Sequence, residues 1–377
     1  MIIAALLLSF QSRIQSFNIP QRTSIPYQLK PHKINKNNRQ RYSSFLLDNR
    51  IPSPSRSSLH AAHVIRKNSM VKRKSAEEAT QQPMMKSIIN LVKLIIGAGV
   101  LSLPQGVSCL GDSARALLPA SALMIAVEIL SIYSFILVGR MCDVKKEATT
   151  LSQAWEQEVG HDSSWIVALS IFVLTFFVST AYSIVLGDIF TSLAHSVGMT
   201  GVTRHLSILF ITLCAVNPLC SLKSLSALTP FSMVGIGGLI LTLLFMLSRL
   251  VSGTYAPGGF FFDTLPLALQ PSFGANGMKS ILSPSTLVMF SLAASSYCCH
   301  FSAPCFYNEL QRNTMQRFSF LAISSFTIVM AISVSIMSFG FLTFGGNCGG
   351  MILNNYSQLD FGAIFCRFLI AASLISG

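Results

Sequence analysis

The chain has 377 residues, 51% of them hydrophobic and only 11% charged, with a formal charge of +13. Its mean hydropathy is +0.58, and soluble domains carry about twice its charged fraction, so a water-soluble globule is excluded. The positive excess sits before Ser75, in a stretch of Ser, Asn, Gln and Pro that lacks the interleaved aromatics of a nucleic-acid reader, so no nucleic-acid partner is expected.

Residues 1–84 read as a disordered basic tail. Met1–Phe10 is apolar yet too short to span a bilayer. With the Arg- and Ser-rich, acid-poor segment behind it, it resembles a signal segment joined to an organelle transit peptide. The alternative is a plain cytoplasmic tail. Residues 85–377 then form a transmembrane domain of blocks long enough to cross a hydrocarbon core. The predicted spans are Ile88–Val107, Leu117–Val138, Trp165–Leu186, Leu206–Leu219, Phe231–Val251, Leu287–Phe306, Phe318–Phe344 and Phe361–Ser376. The fourth is short and carries Asn217-Pro218.

With the tail in the cytoplasm, the inside loops hold Arg140, Lys145, Lys146, Lys223, Arg312 and Arg317, against Arg115, Arg204 and Lys279 outside. That balance obeys the positive-inside rule. The sequon Asn355-Tyr356-Ser357 falls on an outside loop, which makes Asn355 a glycosylation candidate. The last span runs to the C-terminal boundary at Gly377, so the bundle is expected to be truncated in or after the eighth span.

The first span reads Asn90-Leu-Val-Lys93-Leu-Ile-Ile-Gly97-Ala98-Gly99-Val100-Leu-Ser102-Leu-Pro104. Each glycine weakens a helix by about 1 kcal/mol relative to Ala, and Pro104 removes a backbone donor. A helix that opens here bares N–H and C=O groups, which a membrane tolerates only where protein or a watery cavity satisfies them. An amino acid offers a carboxylate to the one and an ammonium to the other; close helix packing is the competing explanation. The sixth span has its own soft point in Ser295, Ser296 and Tyr297, with Pro304 beyond. Two interrupted spans, first and sixth, mark a transporter site in an inverted-repeat fold. Ionisable residues within spans are functional candidates: Lys93, Glu128 and His300. Their bland readings are snorkelling, a bond to Ser131 or Ser121, and a satisfied interior histidine. Asp188 and Arg367, near span ends, read as anchors. Gly235-Ile-Gly237-Gly238 lacks the strand–helix setting of a nucleotide fingerprint and reads as packing. With no catalytic or ATP-binding motif, no enzyme is expected and no cofactor beyond a co-transported H+ or Na+.

At these residues the chain resembles the amino acid/auxin permease family, which includes sodium-coupled neutral and vacuolar amino acid transporters. Asn90–Pro104 resembles the family's opening motif, Ala181–Asp188 its third span, Pro218–Leu228 the fourth-to-fifth junction, and His300–Leu310 with Phe339–Gly345 its sixth and seventh. The resemblance implies an all-α, LeuT-like inverted-repeat bundle that carries an amino acid by alternating access. It places substrate against Ile96, Gly97, Ala98, Gly99 and Val100, with Ser295, Ser296 and Tyr297 opposite and Tyr182 covering. Asn90, Lys93, Glu128 and His300 become ion-coupling candidates. Sodium-coupled members carry Asn where this chain has Lys93, which favours proton coupling or exchange. A truncated permease acting as an amino acid sensor is the rival reading. The plasma membrane or a vacuolar membrane is the expected location, with the plastid envelope an alternative if the leader is a transit peptide. Nothing in the sequence fixes an oligomeric state.

Overall fold

A computed structural model describes residues 82–144, 150–196, 198–199, 201–216, 229–274 and 284–376. The basic tail, Lys145, Lys146, Lys223, Lys279, Asn217-Pro218 and the 218–228 stretch lie outside the described residues. Among the described residues there are no strands, only isolated bridges that join Gln82 to Leu310 and Ser272 to Gly345.

The first predicted span is two helices. Helix α1, Met84–Ile95, stops where Ile96 and Gly97 turn extended. A 3-10 turn over Ala98–Ser102 follows, and then α2, Leu103–Leu110, with Pro104 in its first turn. Proline is harmless there, because a first-turn N–H has no helical acceptor anyway. The two pieces bend by 48°. The sixth predicted span repeats the device. Helix α8, Pro284–Ser296, gives way to an irregular stretch, a 3-10 turn over His300–Ser302, and α9, Ala303–Glu309. Ser102-Leu103-Pro104 and Ser302-Ala303-Pro304 share one backbone geometry, with the serines at φ −93°, ψ −11° and φ −89°, ψ −10°. Each break is followed by a long apolar helix: α3, Leu117–Val144, after the first and α10, Met315–Phe344, after the second.

Between these lie α4, Leu151–Glu158, α5, Ser164–Ser196, α6, Arg204–Ile211, and α7, Thr229–Ser252; α11, Phe361–Ser376, closes the series. The short fourth span is α6 running into a π-turn over Thr212–Val216. Among the described residues α3, α5, α7 and α10 are each long and apolar enough to cross a membrane, and the bent α1–α2 pair is so too if its two pieces form one span. Helix α10 is the axis of the packing, touching α1, α2, α3 and α7, while α8 lies along α2 and α11 along α7. Small residues allow the close approaches. A Cβ on Gly106 would strike Met289 of α8, and Cβ atoms on Gly235 and Gly238 would strike Ser373 and Leu369 of α11. The lipid side shows in α5, where Trp165, Ile166, Leu169, Val173 and Phe177 are all exposed.

Candidate substrate site

The two breaks meet. A Cβ built on Gly99 would lie 3.4 Å from Ser296 Oγ and 3.9 Å from Ser295 Oγ. One built on Gly97 would collide with the Tyr182 hydroxyl, so α5 closes over the first break as the sixth span faces it. Both serines donate to the Leu292 carbonyl, at 3.0 Å from Ser295 and 2.8 Å from Ser296. Ser295 is exposed and Ser296 buried. Val100 is fully buried and Ile96 half-buried, and Gly97 and Gly99 present bare Cα atoms to the opposite side; the side chain of Ala98 lies outside what is described.

Tyr297 goes elsewhere. It is 0% exposed, its ring stacks on Phe326 of α10 at 6.1 Å, and its hydroxyl has no hydrogen-bond partner among the described residues. It stands behind the break, within electrostatic reach of Glu128 on α3. Glu128 is 3% exposed and makes no bond to Ser131 or Ser121 among the described residues. His300, one turn beyond Tyr297, is held by Ser134 Oγ at 2.7 Å and the Ser131 carbonyl at 3.0 Å, tying the second break to α3. Asn90 donates to Gln82 at 2.8 Å. Gln82 in turn pairs through its backbone with Glu309 and Gln311, fastening the start of α1 to the end of α9.

Lys93 lines a small cavity beside the first break, with Gly97, Gly235 and Leu239 of α7, and Ser373 of α11. Its volume of about 20 Å³ holds one water-sized group, not an amino acid.

The far end of the bundle holds a network that the sequence did not point to. Asp360 is 1% exposed. Its carboxylate accepts from Arg249 Nη2 at 2.7 Å, the Tyr255 hydroxyl at 3.0 Å and the Gly362 N–H at 3.0 Å. Burial first, and the Asp360 charge second, push the Tyr255 phenol above its ordinary value, which keeps it a donor. Arg249 also lies over Phe245 and Phe261 at 5.5 and 5.4 Å. An Asp just before an apolar run is a helix-start signal; its partners, 111 and 105 residues away in sequence, leave no local trace. Asp188 pairs with Arg204 at 2.8 Å. Arg367, read from the sequence as an anchor near a span end, is a 1% exposed core residue, donating to the carbonyls of Leu353 and Tyr356. Asn355 is on the predicted loop but buried: Nδ2 donates to Asn347 at 2.7 Å and Oδ1 accepts from Gly349. The nitrogen that a sugar needs is already engaged.

The sequence pattern of the transmembrane amino acid transporter protein family matches residues 80–377. The chain belongs to this family. It is therefore an integral, multi-pass membrane protein, as its long apolar helices require. Among curated relatives, the amino acid transporter AVT6E of Arabidopsis thaliana is 25% identical over 74% of the chain and 55% of its own length. A candidate sodium-coupled neutral amino acid transporter of Danio rerio is 24% identical, over 76% of the chain and 60% of its own length. The vacuolar amino acid transporter 6 of Saccharomyces cerevisiae is 23% identical, over 72% and 58%. The chain thus spans little more than half the length of these relatives.

Proposed function

We propose that this family member carries L-amino acids across a membrane by alternating access in a LeuT-like inverted-repeat bundle, neutral substrates ahead of charged ones. One observation carries the reading: two helices, each interrupted before a Ser-x-Pro step, bring their bare backbone together at Gly99 and Ser296, with Tyr182 over Gly97. Unwound backbone inside a membrane needs a partner, and an amino acid supplies both charges that such backbone binds. The nearest atoms across the break from Gly99 are uncharged ones of Ser295 and Ser296, which favours neutral substrates.

Coupling follows from Lys93. Lys93 lines the cavity between α1, α7 and α11, at the position where the resemblance implies Asn in sodium-coupled members, and a fixed ammonium there would replace the ion. Proton coupling, or exchange without an ion, fits that better than sodium coupling. The kinship with vacuolar transporters favours an endomembrane.

The test is uptake of labelled alanine, glutamine, leucine and lysine by the purified chain in lipid vesicles. Uptake of the neutral substrates with an imposed pH gradient, indifferent to sodium, is the expected result. Uptake that follows sodium and ignores pH removes the coupling proposal, and binding without uptake turns the reading toward a sensor.

A further inference from the structure

We propose that Glu128, partnered by Tyr297, is the group that takes up and releases the coupled proton. The inference rests on the proton-coupled reading above and names the residue that performs it.

Two buried polar groups behind the second break lack the partners that such groups require. Glu128 is 3% exposed in the middle of α3, and no hydrogen bond or ion pair to its carboxyl group is found among the described residues. The Tyr297 hydroxyl is fully buried and equally without a bond. Helix α8, which ends just before Tyr297, packs against α3, and the two groups are electrostatic neighbours. Leaving either group unpaired is costly, and an isolated ionised carboxylate costs far more than a neutral acid. Buried as it is here, Glu128 is therefore carried as the acid.

Other ionisable groups lie on the elements around it. His300, on the turn packed against α3, is bonded to Ser134 and to the Ser131 carbonyl. On α9, Tyr307 donates to Asp143 at the end of α3. Cys299 is a buried thiol within the second break. Arg317 is in the first turn of α10, Cys109 is in the last turn of α2, Arg115 precedes α3, and Glu156 and Glu158 are on α4. Lys93 is on α1, lining the cavity against α7 and α11. Tyr297 is the first residue past α8, so a movement that opens the second break to water also moves an electrostatic neighbour of Glu128. The acid then gives its proton to water on that side, leaving a hydrated carboxylate that accepts from the Tyr297 hydroxyl. With the amino acid bound and water shut out, closing requires the carboxylate to regain a proton, because burying it charged is too costly; the empty site keeps water around the carboxylate and returns without one. Each full cycle thus moves one proton in company with one amino acid.

The first test needs no transport. Infrared spectra of the full chain in lipid vesicles at neutral pH are expected to show a protonated-carboxyl C=O band that Glu128→Gln removes. Identical carbonyl bands in the two proteins overturn the proposal. The second test imposes a pH gradient and follows labelled alanine and proton flux together. Glu128→Gln should lose gradient-driven accumulation by about tenfold, within the usual range of coupling between sites, while alanine counterflow persists at a reduced rate. Tyr297→Phe should shift the pH midpoint and leave accumulation in place. Wild-type accumulation in Glu128→Gln, or a pH response lost in Lys93→Met but kept in Glu128→Gln, overturns it as well. A wild-type chain that moves no amino acid sinks the transport reading, and the infrared comparison still decides the state of Glu128.

Discussion

At the scale of single residues, the site depends on atoms that are missing. Gly97 is occupied from outside by the Tyr182 hydroxyl, the next ring atom lying 3.0 Å from where a Cβ would stand. Gly97→Ala is therefore expected to destabilise the protein by about 1–3 kcal/mol, the usual cost of overpacking, and to abolish uptake. Tyr182→Phe removes the colliding atom, so the double variant should recover most of the lost stability in thermal unfolding on lipid nanodiscs. No recovery would mean that the glycine is needed for its backbone and not for the space. The two glycines announce a break in the sequence through helix propensity alone, but what fills the gap does not, because Tyr182 lies on another helix. Tyr297 shows the same limit. It shares the soft point with Ser295 and Ser296, yet its ring turns onto Phe326 and away from Gly99, a choice fixed by packing on α10.

At the scale of elements, the legible features are those written locally. Runs of apolar residues give the helices, Gly97 and Gly99 give the first break, and Ser102 and Ser302, each two residues before a proline, give both restarts. Long-range ties are not legible. The segment after α7 is strapped to the end of α10 through Ser272, whose N–H donates to Phe344 at 3.2 Å and whose carbonyl accepts from Gly346 at 2.8 Å. Gly345, at φ 60°, has no room for a Cβ beside that carbonyl. The same segment brings Tyr255 to Asp360, the residue that starts α11. Asp360→Ala removes a buried ion-pair partner and a helix cap together. Breaking a buried pair costs about 3–5 kcal/mol, and the 28% exposure of the Arg249 side chain places this one at the low end. Asp360→Asn keeps one acceptor oxygen, enough for the Gly362 N–H, so it should recover about 1 kcal/mol, the worth of a cap. Equal losses in the two variants, measured by thermal unfolding, would show that the charge alone matters.

At the scale of the whole molecule, the charges sort the two ends of the bundle. Gln82, Asp143, Tyr307 and Arg317 gather at one end, where the start of α1 is fastened to the end of α9. The Arg249–Asp360 network and the 253–272 segment form the other end. Arg140 and Arg312 belong to the first end by their positions near the end of α3 and just past α9. An excess of Lys and Arg in short loops faces the cytoplasm, so the Gln82 end is expected there. Phe260 and Leu267 are 82% and 83% exposed on the opposite end and make good reporters. After replacing the exposed native Cys214, Cys298 and Cys305 by Ser, Leu267→Cys should react with a membrane-impermeant maleimide added outside intact cells or to the lumen of a vacuole. Arg312→Cys should react only once the membrane is opened. Both positions reacting from one side would mean an odd number of crossings is missing between them, and the pairing of the two breaks would have to be redrawn. The reverse pattern would keep the bundle intact and turn it over, placing the basic tail away from the cytoplasm and giving the leader reading of Met1–Phe10 its first support.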